Sequence, residues 1–510
     1  MSRATISTGG IPFLDPDDDQ PPRPRSGGLP CHVLVLADFS GRSHRGLDDA
    51  GSLLQRRIIE VTRDNLDEVF QRLHVTLDSA VAEKPIEFGE PDDLHPDFLY
   101  ERVDLFSQFR ALKRQLQNPA SFADAAARIQ SWAPPAPPKK SAAEYTAIEI
   151  PEAGTGAQTV LDDLLHSTHA QQEQAQSVQA LIEQIVAPYV IPAADPRLPE
   201  LLDTVDRAAS HLMRKLLHSS AFQGIEASWR GLQWLMKRLD SDSDLRIFIA
   251  DISLLEIARD NELHSDDLTA LHQLLIEQRL SQGTVPFSLI VADYQLRDEL
   301  DHCDALANLG SIAADLGATL LIGGHERIAG CRDLVKCTEP ADWNLHKHDD
   351  DFVQLWEAIR EQSYSTHIGV VAPRFLLRLP YGKRTRPIDT FAFEELPSLS
   401  PHEFYLWGNG AWVIAAILCV SYGQHGWQKP PGGLQRIADL PVHLVDKEGE
   451  TVMTPCAEVL MTDSTAAGLL QAGLLVIRSI NNQDAIVVPE LRSLHPDQVP
   501  LAGRWFTGAS

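Results

Sequence analysis

Between residues 245 and 322 the chain reads LRIFIA at 245–250, FSLIVA at 287–292 and ATLLI at 318–322, and the spacing of what lies between decides the fold. Leu268, Leu271, Leu274 and Leu275 fall at three- and four-residue steps in the first gap, and residues 300–316 form a second helical stretch. Such steps draw one apolar stripe along a helix, whereas a short unbroken apolar run is a strand covered on both faces. Strand and helix in alternation predict a mainly parallel or mixed sheet with helices on either side.

Upstream, Leu212, Leu216 and Leu217, then Ile225, Trp229, Leu232 and Leu235, continue the helical spacing on both sides of a break at 219–224. Downstream the texture changes. Residues 442–445, 452–461 and 474–488 are short strand candidates joined by turn residues, among them Asn481 and Asn482. No internal repeat is visible.

Towards the N-terminus, PPAPPKK at 134–140 is the clearest boundary, because clustered prolines favour an extended spacer. Ahead of it stands an α/β unit ending near Trp132. CHVLVL at 31–36 is a buried strand stopped by Asp38 and Gly41. A helix at 64–73 places Leu66, Val69, Phe70 and Leu73 on one face, and another runs through Leu105, Phe106, Phe109, Leu112 and Leu116. Residues 15–28, DPDDDQPPRPRSGG, hold too little apolar surface for a core. After the prolines, YTAIEI at 145–150 is a lone strand candidate, and 160–166 and 169–185 are helical. The expected division is an arm at 1–28, a small α/β domain at 29–132, a Pro-rich linker at 133–157, a larger α/β domain at 158–440 and a strand-rich part at 441–510.

A chain of 510 residues is too long for one core of ordinary size. Its formal charge of −27 argues against nucleic acid, which needs a concentrated Lys/Arg surface. MSRATISTGG at the start shows no secretory signal, and the longest apolar run, 411–420, is about half of the roughly 20 residues that span a bilayer. Membrane insertion is therefore not expected. The six cysteines show no C-x-x-C spacing, as in a reduced, cytoplasmic protein.

The motifs of chemistry are missing. There is no phosphate loop, since Lys383 in YGKRT lacks the upstream glycine, and no G-x-G-x-x-G, G-x-S-x-G or H-E-x-x-H. His325, Cys331 and Cys337 have no familiar zinc spacing, and buried thiols are the simpler reading. Asp38, Asp251 and Asp293 each end an apolar strand, where catalytic carboxylates often sit, yet without a cofactor loop they more often cap the next turn. Neither enzyme activity, nor a cofactor, nor a metal is expected. Arg374, Arg378, Lys383, Arg384 and Arg386 make RFLLRLPYGKRTR at 374–386 basic within an acidic chain. Docking of a second copy is favoured there, with an anion site and a plain loop patch as alternatives.

Five segments of the second half resemble the large sheath subunit of type VI secretion systems, TssC or VipB. They are LHSSAFQGIEASWRGLQWL at 217–235, FSLIVADY at 287–294, RFLLRLPYGKRTRPIDTFAFEE at 374–395, YLWGN at 405–409 and DLPVHLVDKEGETVMTPCAEVLMTD at 439–463. The first unit resembles the small subunit, TssB or VipA, in LPCHVLVLADFSGR at 29–42, RIIEVTRDNLDEVFQRL at 57–73 and residues 86–116. Ala37 stands where that family more usually has glycine. Together the resemblances run from about residue 29 to 495, and the linker joins two subunits that are usually separate, fixing their ratio at one to one.

The resemblance implies a bacterial cytoplasmic polymer. Copies stack as hexameric rings around an Hcp-like inner tube on a baseplate and contract to drive the tube outward; the alternative is a non-contractile or baseplate-associated paralogue. Copies are linked by exchanged strands, and the donor candidates are Ala4, Thr5 and Ile6, then Thr146, Ile148 and Ile150, then Val476, Ile477, Ile486 and Val487. An AAA+ unfoldase, ClpV, recycles such sheaths by a short helix, for which Leu161, Leu164 and Leu165 form the candidate stripe.

Overall fold

The computed structural model describes residues 29–118, 120–132, 198–239, 244–264, 268–343, 348–397, 401–428, 431–447 and 449–505. A seven-stranded sheet organises them. In chain order its strands are β1 (Cys31–Ala37), β2 (Ile59–Val61), β3 (Leu245–Asp251), β4 (Leu289–Leu296), β5 (Thr319–Gly324), β6 (Ile368–Ala372) and β7 (Leu474–Val476). Across the sheet the order is β7-β6-β5-β4-β1-β3-β2, and every neighbouring pair is parallel except β2 with β3.

The first strand among the described residues, β1, therefore lies between strands that come more than 200 residues later. Cys31 is level with Leu245, and Val33 with both Ile247 and Leu289. All of β1 is buried, and its side chains alternate between two cores. Val33 and Val35 join one core, while Leu34 and Leu36 join the other. An unbroken apolar run is what such a two-faced position demands.

On the first face lie α1 (Leu66–Leu73), α2 (Ser107–Gln117), α3 (Phe122–Ser131), α4 (Leu198–Leu217) and α5 (Ser220–Arg238). On the second lie α6 (Leu254–Leu263), α7 (Leu300–Leu316) and α8 (Asp350–Glu361). Local sequence sets their starts. Ser219 caps α5 by accepting from the Phe222 N–H, and Ser253 with Glu256 forms a reciprocal capping box for α6. Helix α9 (Ala411–His425) holds the apolar run noted above and packs on the first face. Among the described residues no helix is long and apolar enough to cross a membrane.

Two expectations shift in detail. The leucine stripe at 268–275 is not one regular helix: it passes from Ala270–His272 into a π-turn at Gln273–Glu277. The α/β units also share one sheet rather than closing separate sheets, since both neighbours of β1 belong to the second unit. Local periodicity marks a strand as covered on both faces, but the identity of its neighbours is a long-range property.

Candidate assembly interface

The stretch after β6 is built around a buried ion network. Arg378 is only 3% exposed and lies between Glu226 of α5 and Glu395. Its Nε and Nη2 donate to the two oxygens of Glu226 at 2.8 and 3.1 Å. Its Nη1 and Nη2 donate to Glu395 at 2.7 and 2.9 Å. Arg230 adds a bond to Glu226 at 2.6 Å and reaches the Tyr381 hydroxyl at 3.0 Å. Burial alone would raise the Glu395 carboxyl, but the Arg378 guanidinium, His218 and the Tyr381 N–H outweigh it and hold it down at about 2. Glu226 moves the same way, with Arg378 and Arg230 overcoming its burial.

The five basic residues proposed for docking thus divide. Arg378 is an internal strut, with no surface to offer a second copy. Arg374 sits at the end of β6 and is held by Glu458 at 2.6 Å and Glu403 at 3.1 Å. Lys383 and Arg384 are exposed at the turn, and Arg386 is half-buried with its guanidinium 5.4 Å from the Tyr381 ring centre. Spacing alone does not separate them, because Glu226 stands 152 residues before Arg378.

The strand candidates divide as well. Val476 is buried in β7 beside Ala372, and the Ile477 N–H donates to the Ala372 carbonyl. Ile486 and Val487 form the middle of a three-stranded sheet, between Gln435–Ile437 and Arg478–Ser479. With both neighbours in place, that strand is not free to pair with another copy. Ala4, Thr5, Ile6, Thr146, Ile148, Ile150, Leu161, Leu164 and Leu165 lie outside the described residues.

An open edge among the described residues lies elsewhere. Leu444–Lys447 and Glu450–Met453 form a hairpin with no third strand among the described residues. Gly449 turns it at a φ of 88°, and the Asp446 side chain accepts from the Gly449 N–H. Leu444 is 58% exposed and Val452 is 40% exposed. A two-stranded ribbon of this kind offers unpaired backbone on both margins. Of the strand candidates at 442–445 and 452–461, the structure has strand only at 444–447 and 450–453, residues 454–461 being irregular. Nothing in the pattern marks the hairpin as lacking a third strand among the described residues.

The family model described as EvpB/VC_A0108, tail sheath N-terminal domain (VipB), matches residues 200–495. The chain belongs to this tail sheath family. A second model, described as Type VI secretion system, VipA, VC_A0107 or Hcp2, matches residues 23–131, so this is a fused TssB/TssC sheath protein. The type VI secretion system sheath protein TssC1 of Pseudomonas aeruginosa is 25% identical over 295 residues, which cover 56% of this chain. The match spans 59% of the length of that curated relative.

In the fused sheath protein Asp38 and Asp251 hold turns, whereas Asp293 lies within β4 and is held by α9. Asp251 accepts from the Ser40 N–H at 3.0 Å and its hydroxyl at 2.7 Å. Asp38 accepts from the Ser43 N–H at 3.0 Å, and Asp293 from the Trp412 indole at 3.0 Å. Burial pushes Asp251 and Asp293 up to about 6. A cleft of about 550 Å³ opens beside them, lined in part by Gln223, Arg374 and Tyr405. Two of its lining side chains are already bonded: Gln223 donates to the Glu403 carbonyl, and the Tyr405 hydroxyl meets His443 at 2.7 Å. His325 caps the turn Glu326–Ala329, and Cys331 contacts the Cys337 carbonyl at 3.6 Å. Among the described residues no cluster of three or more His, Cys, Asp or Glu is arranged to hold a metal ion.

Proposed function

We propose that this chain is the repeating subunit of a contractile sheath in the bacterial cytoplasm, polymerising around an Hcp-like inner tube on a baseplate and driving the tube outward. The observation that carries this reading is the hairpin at 444–453, which has no third strand among the described residues and whose Leu444 and Val452 side chains face solvent. An extended segment from a neighbour adds to such a margin through backbone hydrogen bonds, and alternate side chains set the register. The donors proposed are the segment with Ala4, Thr5 and Ile6 and the segment with Thr146, Ile148 and Ile150. Lys383, Arg384 and Arg386 supply a basic face for an acidic chain to dock on, which supports association of like copies. The stripe of Leu161, Leu164 and Leu165 is the proposed grip for a ClpV unfoldase that dismantles the contracted form.

Electron microscopy of the purified chain, alone and with the inner tube protein, tests the reading. Hollow tubules with ridged walls are expected. Monodisperse particles under both conditions would overturn polymerisation.

A further inference from the structure

Beside the edge strand β2 lies a groove of about 490 Å³. Ile58, Ile59, Val69 and Leu274 give it an apolar lining, and Arg56, Arg57, Arg72 and Arg279 give it charge in a chain of net charge −27. Glu60 and Glu68 also line it, but Glu60 lies 3.6 Å from Arg246. Arg56 is paired with Glu256. Among the described residues Arg57, Arg72 and Arg279 have no carboxylate at ion-pair distance. The Nε atoms of Arg56 and Arg279 are buried donors without an acceptor among those residues. Burial, with no anion beside it, lowers the Arg279 guanidinium.

An added strand does not suit this edge. The Asn65 amide donates to the Glu60 carbonyl at 3.0 Å and accepts from the Thr62 N–H at 2.8 Å, occupying backbone groups of the β2 edge. Glu68 remains on the lining, but Arg57, Arg72 and Arg279 outnumber it, so an acidic segment beside a small apolar group fits the groove. The chain holds that pattern in residues 11–19, IPFLDPDDD.

We propose that the groove docks the chain's own N-terminal arm, with Phe13 and Leu14 on the apolar lining and Asp17, Asp18 and Asp19 facing Arg57, Arg72 and Arg279. The reach is sufficient. Asp19 and Pro30 are separated by eleven residues of sequence, or roughly 35 Å when extended. Since Cys31 is level with Leu245 and Ile59 with Ile249, β2 lies about 10 Å across and about 13 Å along the sheet from Cys31. A docked arm also fixes the point from which Ala4, Thr5 and Ile6 extend. That consequence rests on the strand-exchange reading, whereas the docking does not.

Chymotrypsin cleavage of the full chain after Phe13, referred to cleavage after Tyr145 in the linker, reads the docking directly. Arg57→Glu with Arg72→Glu should speed cleavage about fivefold, as should Asp17→Lys, Asp18→Lys and Asp19→Lys together. The combined reversal should restore protection, because the charges again oppose. Equal cleavage in all four proteins, or no restoration in the combined variant, overturns the proposal. In the parent chain about 0.5 M salt should release the arm without any substitution, and unchanged cleavage there overturns it too. Protection lost on dilution would assign the arm to a neighbouring copy and overturn docking within one chain. Binding of inorganic phosphate in the groove beside an unprotected arm would make it a small-anion site instead.

Discussion

Arg378 is the residue on which the loop after β6 depends, because two buried carboxylates share its guanidinium. Removing one member of a buried ion cluster strands the others in a poor solvent for charge. Arg378→Met should cost about 3–5 kcal/mol in the urea midpoint analysis, with Glu226 and Glu395 left facing each other. Lys383→Glu with Arg384→Glu should change stability by less than about 0.5 kcal/mol, since both are exposed, while weakening assembly. The pH dependence has two signs. Glu395 is held at about 2, below its ordinary value, so its contribution is full above pH 4.5 and is lost as the pH falls towards 2. Asp293 is raised to about 6, so its contribution is full below pH 3.8 and is lost as the pH rises through 6. Asp293→Asn should therefore raise the urea midpoint relative to the parent at pH 8, keep only part of that advantage at pH 5 and lose it near pH 3.8. A constant difference across these pH values would refute the assignment. At this scale the sequence was half legible. The basic residues of 374–386 stood out, but the helix carrying Glu226 had to be folded into place before Arg378 could be told from Lys383.

At the scale of elements, the hairpin at 444–453 carries its exposed side chains at no evident benefit to the single chain. Lone hairpins are marginal in water, and at the base of this one the Thr454 N–H donates to the His443 carbonyl at 2.8 Å while the His443 ring meets the Tyr405 hydroxyl at 2.7 Å. Leu444→Lys with Val452→Lys should leave thermal unfolding within about 2 °C of the parent, because both side chains are already exposed. The same pair should abolish tubules, since charges along an edge block strand addition. Tubules of normal length from this variant would move the junction elsewhere. The helices and strands themselves were legible wherever periodicity is local, as in Ile225, Trp229, Leu232 and Leu235 of α5 and the buried run of β1. The break expected at 219–224 shrinks to the Ser219 cap, because residues 220–224 are already helical. The π-turn at Gln273–Glu277 was not, since leucine spacing is the same for a regular helix and one carrying a wider turn.

At the scale of the molecule, the position of β1 governs how the two sequence units depend on each other. Val33, Leu34, Val35 and Leu36 are fully buried, and their burial is worth roughly 6–12 kcal/mol in all, comparable with the net stability of a whole domain. Without residues 29–132, β3 and β4 would face an open slot at the middle of the sheet. Helices α2 and α3 would leave a further gap, since they share the core that α4 and α5 help to form. The covalent linker is then dispensable for holding the folded chain together, although it keeps the two units at equal number. A protease site placed after Lys140 tests this. After complete cleavage the two fragments should elute together from a gel-filtration column in buffer and separate only in denaturant. Residues 29–132 produced alone should lack a cooperative unfolding transition, because β1 has no neighbour there on either side. Fragments that part in buffer, or a small fragment that unfolds cooperatively by itself, would mean that the shared sheet is not what joins the units. Tubules assembled from the cleaved protein would further show that the linker serves stoichiometry and not the transmission of force.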